Sequence, residues 1–325
     1  MPVDTFPTGT AAAHPDWPLA RFSVADMFLH YPLVMQYLTL MEKAFVLYNP
    51  IECLYGAPAM PWNGGRPIRI PFKAEDFRAA LEPLYSRNIG YHATFTSHLI
   101  TANDLPDPVG NAILECISQR PDLNGVIVVS DLLSKYIADR YPAVQQAASI
   151  VKVTFEHGGG RPDYYRELGK RFARYMVYPD DCRDLKILDQ LDRDKAELIV
   201  NEPCVANCPA RIHHYDTNAR WQRAIATPDE PRLTKEADEV VGNCHSPFYM
   251  NRIAEHQRSC NLSRSEMKAV YDMGFRHFKL QGRADDPFSY SYDLTRFTLE
   301  PDFAAPLVNK SICLWLGHAV IRRGR

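Results

Sequence analysis

From about residue 50 the chain alternates short runs of β-branched and aromatic residues with amphipathic stretches of helical period. Residues 51–55 (IECLY) predict a strand, followed by a Pro/Gly-rich loop through Trp62, Asn63, Gly64, Gly65 and Arg66. Phe77, Ala80, Leu81 and Leu84 then fall at i, i+3, i+4 and i+7, the spacing of one buried helix face. Residues 89–96 (IGYHATFT) set Tyr91, Ala93 and Phe95 against His92, Thr94 and Thr96, as a strand with two unlike faces does. Gly125 opens the apolar strand VIVV, and Ser130 or Asp131 can cap a helix carrying Leu132, Leu133, Tyr136 and Ile137. Residues 148–155 (ASIVKVTF) predict the next strand, and a glycine turn at 158–160 leads to a helix with Tyr165, Leu168 and Phe172. Residues 175–178 (YMVY) precede a helix that buries Leu185, Leu188 and Leu191, with Asp180 or Asp181 as its cap. Residues 197–200 (ELIV) are another strand. The last unit is the best specified: Ser263 and Glu266 form a capping-box pattern, Gly274 stands where a helix ends, and 276–280 (RHFKL) follow as a strand.

Seven strands separated by helices, with an eighth expected before residue 50, predict an α/β fold with a parallel sheet. The count favours a TIM-like (β/α) barrel over an open sheet, and the G-x-G-x-x-G fingerprint of a dinucleotide-binding sheet is absent. The expected organisation is an N-terminal helical segment over 1–45 that can contribute the first barrel strand, a barrel over 46–285, and a C-terminal extension over 286–325. A cysteine-bearing insertion at about 204–262 precedes the last strand.

Composition narrows the function classes. Hydrophobic residues make up 46% and charged ones 23%, enough apolar content for a large core. The 37 basic and 39 acidic residues give a net charge of −2, so there is no strong signal for nucleic acid or anionic membranes. The apolar stretch 28–48 is interrupted by His30, Gln36, Glu42 and Lys43 and reads as a core helix, not a membrane span. The first twenty residues lack the basic start and apolar run of a secretory signal, which predicts a cytoplasmic protein.

In a reducing compartment, clustered cysteines point to metal binding or catalysis more than to disulfides. Of the eight cysteines, Cys204, Cys208, Cys244 and Cys260 lie within 57 residues with the spacing C-x3-C-x35-C-x15-C. Four thiolates can hold a tetrahedral zinc ion or an iron–sulfur cluster. The radical-initiating C-x3-C-x2-C pattern fails because position 211 is Arg, whereas the nearby His213, His214, His245 and His256 keep zinc in play. H-E-x-x-H is absent, which counts against a zinc peptidase. Spacing alone leaves cluster and zinc open. The other four, Cys53, Cys116, Cys182 and Cys313, have no thiol neighbour at ligand spacing and default to structural roles.

Segments SDLLSKYIADRYP, SIVKVTF, RYMVYPDD and ELIVNEPC, together with the final GFRHFKLQGR, resemble the collagenase-like peptidases of unassigned type. The resemblance spans roughly residues 50–285 in order of elements, and its specific parts are the strand–Cys junction and the last motif, which looks like the family's Lys-Ile-Glu-Gly-Arg. It implies a cytoplasmic barrel with a four-cysteine [4Fe-4S] cluster. It further implies oxygen-independent hydroxylation in ubiquinone synthesis or on RNA bases, with prephenate as oxygen donor, and some members work as paired subunits. Cys204 matches the cysteine after the family's seventh strand and Cys260 one shortly before the last helix, while Lys279, Gly282 and Arg283 match the final motif. Gln281 replaces the usual acidic residue, and Cys208 follows Cys204 more closely than in the family.

Polar residues at predicted strand ends are the remaining candidates, because barrel enzymes carry their chemistry there. Catalytic candidates are Glu202, His92, Lys152 and Arg283. Substrate-binding candidates are Arg283, Lys279, Asn201 and Tyr178, and Arg283 can clamp a carboxylate with two prongs. The reading is an iron–sulfur hydroxylase or related redox enzyme acting on a small molecule or nucleobase. A zinc-dependent hydrolase and a non-catalytic, cluster-carrying partner subunit are the alternatives.

Overall fold

The computed structural model describes residues 14–43, 49–66, 70–226, 259–282 and 287–299. Eight strands close into a parallel barrel: β1 (Arg21–Ala25), β2 (Ile51–Gly56), β3 (Gly90–Phe95), β4 (Gly125–Val128), β5 (Gln145–Ala148), β6 (Arg174–Met176), β7 (Ala196–Ile199) and β10 (His277–Leu280), which pairs back with β1. The helices between them are α1 (Tyr31–Lys43), α2 (Ala74–Tyr85), α3 (Pro108–Ile117), α4 (Asp131–Arg140), α5 (Ile150–Glu156), α6 (Pro162–Arg171), α7 (Leu185–Leu188), α8 (Arg211–Ala226), α9 (Arg264–Asp272) and α10 (Pro287–Thr298). Between β7 and β10 the chain adds a two-stranded antiparallel sheet, β8 (Asn201–Val205) with β9 (Ser259–Asn261). The TIM-like α/β barrel expected from the strand count is therefore the fold, and the eighth strand is β1. No helix among the described residues is long and apolar enough to cross a membrane.

Local chemistry explains most boundaries. Ser130 Oγ accepts from Leu133 N–H at 3.3 Å to start α4, and Ser263 with Glu266 forms a reciprocal capping box on α9. Gly274 follows α9 at φ +105°, a conformation that costs a side-chain-bearing residue but not glycine. Phe77, Leu81 and Leu84 of α2 are buried against the sheet's outer face, as their spacing requires.

Two expectations are corrected. Residues 148–155 are not one strand: β5 ends at Ala148, and Ile150–Glu156 is helix α5, started by Ser149, whose Oγ accepts from Val151 N–H at 3.1 Å. β-Branched composition suggested a strand, but the barrel position between β4 and β6 is already filled by the polar-looking QQAA, and packing decides over propensity. Lys152, expected at a strand end, is on this helix. The cap of α7 is Asp184, which accepts from Lys186 and Ile187 N–H at 2.9 and 3.2 Å, while Asp180 and Asp181 bind elsewhere. Cys244, Arg283, His245, His256 and Cys313 lie outside the described residues.

Candidate functional site

Register pairs place Ser23, Cys53, Tyr55, His92, Thr94, Arg174, Glu197, His277 and Lys279 on one face of the sheet. That face is the lumen, because Glu52 on β2 pairs with Arg174 on β6 at 2.5 Å, across the barrel from it. Glu52 reaches inward through a bulge: Phe22 pairs with Ile51 and Ser23 with Cys53, so Glu52 faces no residue on β1. His277 Nδ1 lies 3.2 Å from the other Glu52 oxygen. Burial acts to raise the Glu52 pKa, but the hydrogen bonds from His277 and Arg174 hold it well below the usual carboxylate range.

Higher in the lumen, Lys279 Nζ sits 3.5 Å from the centroid of the Tyr55 ring, and Tyr55 Oη donates to the Leu280 carbonyl at 2.8 Å. Burial lowers the Lys279 pKa, with Glu197 opposing the shift. His92 is pushed down to about 4 by burial and then by Arg174, so at neutral pH it is an uncharged imidazole. Burial, with help from Glu52 and Glu197, pushes the Cys53 thiol up to about 12, and its Sγ meets Ser23 Oγ at 3.3 Å. Cys53 is thus an unreactive core thiol at neutral pH.

At the carboxyl ends of β7 and β10, the small sheet gathers the cysteines. Glu202 pairs with Cys260 and Val205 with Ser259, so Pro203 and Cys204 form a bulge in β8. Proline is tolerated there because a bulge needs no ladder hydrogen bond from it. Glu202 is buried, and its Oε1 accepts the Cys204 N–H at 3.0 Å while Oε2 accepts from Gln281 Nε2. Asn201 bonds the Gln281 backbone twice, donating to its carbonyl at 2.9 Å and accepting its N–H at 2.6 Å. Leu262 N–H donates to the Val200 carbonyl at 2.9 Å, and Val200 N–H to that of Lys279 at 3.1 Å. The sheet is therefore fastened to the barrel rim at both strands.

Cys204, Cys208 and Cys260 are buried cysteines outside any disulfide. Burial first and the Asp180 charge second push the Cys260 thiol up to about 12, against the pull of Arg211. Arg211, the first residue of α8, is buried and ion-paired with Asp180. Its second terminal nitrogen donates to the Val205 carbonyl at 2.9 Å and to Cys260 Sγ at 3.6 Å, and its guanidinium lies 4.7 Å from the Tyr178 ring centroid. Asp180 also accepts the N–H of Asn207, which fixes the Cys204–Cys208 loop against the end of β6. An open cleft lined by Asp180, Arg183, Asp184, Leu185 and Lys186 runs beside this sheet.

Of the predicted site residues, the structure joins Cys204, Cys208, Cys260, Glu202, Asn201 and Tyr178 around one rim, with Lys279 and His92 in the lumen. Lys152 belongs to neither group. Its Nζ is fully engaged by Asp131 at 2.9 Å, Glu156 at 2.5 Å and the Val129 carbonyl at 3.2 Å, a clamp between α4 and α5. Arg211 was missed as a functional residue, although its place three residues after Cys208 was visible. The Glu52–Arg174–His277 network was not anticipated, because its members lie on three strands distant in sequence and only the closure of the barrel brings them together.

The residues that would hold a thiolate-bound group are buried cysteines outside any disulfide, with a guanidinium N–H directed at the Cys260 sulfur. Among the described residues no three of His, Cys, Asp and Glu already stand in metal-holding positions, and Cys244 is not among them. The chain is similar to a solved structure of the U32 peptidase Mk0906, with a TM-score of 0.45 and 13% identity, covering 86% of this chain and 97% of that one. No family model and no curated protein matches the chain.

Proposed function

We propose that Cys204, Cys208, Cys244 and Cys260 hold a [4Fe-4S] cluster at the carboxyl rim of the barrel, in an enzyme that carries out oxygen-independent hydroxylation or a related redox step on a small molecule or nucleobase. The observation that carries this reading is that the β8–β9 pairing brings Cys204 and Cys260, distant in sequence, onto one small sheet with a buried guanidinium hydrogen-bonded to Cys260, while Cys208 lies in the loop just after β8. The resemblance of the strand–Cys junction and final motif supports cluster over zinc. The bound group would supply one-electron transfer. The chain's own residues do the rest: Glu202 holds the Cys204 amide, Asn201 ties the rim to Gln281, and Lys279 offers positive charge to an anionic substrate entering the lumen. Arg283 follows that strand by three residues and would act as a second anion contact.

Anaerobic purification and reconstitution test the reading through iron and acid-labile sulfide content. Wild-type chain is expected to bind both in the proportion of a [4Fe-4S] cluster. Cys204→Ser, Cys208→Ser, Cys244→Ser and Cys260→Ser should each lose most of it. A colourless protein that takes up zinc but no iron would sink the cluster and favour a hydrolase.

A further inference from the structure

We infer that Arg211 is a positioning residue for the cysteine centre, one that sets the reduction potential of the bound cluster by donating a hydrogen bond and a positive charge to the Cys260 sulfur. This inference rests on the cluster reading above. Arg211 is 3% exposed, a depth at which a cation must be compensated. Its compensation is deliberately partial. Asp180 takes Nη1 only, and the Asp180 carboxylate is itself shared with the Asn207 amide. The other terminal nitrogen is spent on the Val205 carbonyl and on Cys260 Sγ, at 2.9 and 3.6 Å. Buried Nε has no hydrogen-bond partner among the described residues. A guanidinium whose purpose was only to pair with a carboxylate would use the two-pronged geometry available to it; this one is turned so that a fork edge meets sulfur.

The consequence follows from charge. A thiolate-held cluster becomes more negative on reduction, so a fixed cation and an N–H···S bond stabilise the reduced state more than the oxidised one, and the potential rises. Cys260 Sγ also meets Asp180 Oδ1 at 3.9 Å, a negative charge that acts in the opposite sense and that Arg211 offsets through its ion pair with the same carboxylate. The Arg at position 211, which excludes the radical-initiating cysteine pattern, thereby places a cation where that pattern has a third thiol.

The test is a redox titration of reconstituted wild type, Arg211→Lys and Arg211→Gln, followed by electron paramagnetic resonance, with iron content measured on each. Arg211→Gln is expected to lower the midpoint potential so that the reduced-to-oxidised ratio at the wild-type midpoint falls about tenfold, roughly 59 mV for a one-electron couple. Arg211→Lys, which keeps the charge, should recover at least half of that shift. Equal potentials in wild type and Arg211→Gln, at equal iron content, would overturn the inference while leaving the cluster intact. Wild type without iron would remove the cluster reading and this inference with it. If Arg211→Gln fails to hold iron, hyperfine spectroscopy of the wild-type cluster with guanidino-15N arginine decides instead: a coupled nitrogen supports the contact, and its absence refutes it.

Discussion

The lumen of the barrel and the sheet that carries the cysteines both bury charge, but they are held in different ways. In the lumen, Glu52, Arg174 and His277 belong to β2, β6 and β10, each paired with a strand on both sides. At the rim, Cys204 and Cys260 sit on a two-stranded sheet, a unit that is marginal alone, fastened through Glu202, Asn201, Asp180 and Arg211. The barrel makes the first network part of global stability. The second lies outside the closed barrel and is joined to its rim, the kind of position from which segments on a rigid frame carry function. The contrast separates charge that supports the fold from charge arranged around thiols.

The largest way to break the contrast is Arg174→Met. It leaves the Glu52 carboxylate inside the barrel with only His277, and stability measured by urea unfolding should fall by about 3 kcal/mol. Iron uptake by the folded variant should be unchanged; lost uptake in a folded chain would show that lumen and rim are one system. A smaller effect lies in the acid limb of stability. His92 is held down to about 4 by burial and by Arg174 and Lys279, against Glu52. An unfolded histidine titrates near about 6.5, so between these values the unfolded chain binds the extra proton and stability falls as pH drops. The slope from this one residue is at most about 1.4 kcal/mol per pH unit. His92→Gln should flatten it, and an unchanged pH profile would count against a buried neutral imidazole. The smallest effect is local. Glu202→Gln weakens the acceptor of the Cys204 N–H by about 1 kcal/mol, so hydrogen exchange at that amide should speed up about fivefold while the urea midpoint scarcely moves. A global loss instead would place Glu202 with the lumen group.

The candidate site was partly legible along the chain. Cys204 and Glu202 could be read because a strand ends in a cysteine motif, and Cys260 from the cysteine spacing; their burial together follows from the β8–β9 pairing. Lys152 misled because IVKVTF has strand composition, yet Ser149 caps a helix there and the lysine is consumed by Asp131 and Glu156. Asp180 read as a helix cap because aspartate precedes an amphipathic run; it instead answers Arg211, distant in sequence, and Asp184 caps the helix.

The sequence by itself determined the barrel, through the recurrence of buried strands and amphipathic helices, and it marked the capping box of α9 and the cysteine spacing. These are local signals, since periodicity and caps act within a few residues. Only the tertiary structure decided that Glu52 turns inward at a bulge, that Lys152 is a clamp, and that Arg211 meets Cys260. Each of those depends on which distant side chain desolvates and faces the residue, and the energy of a buried charge is fixed by that partner rather than by its neighbours in the chain.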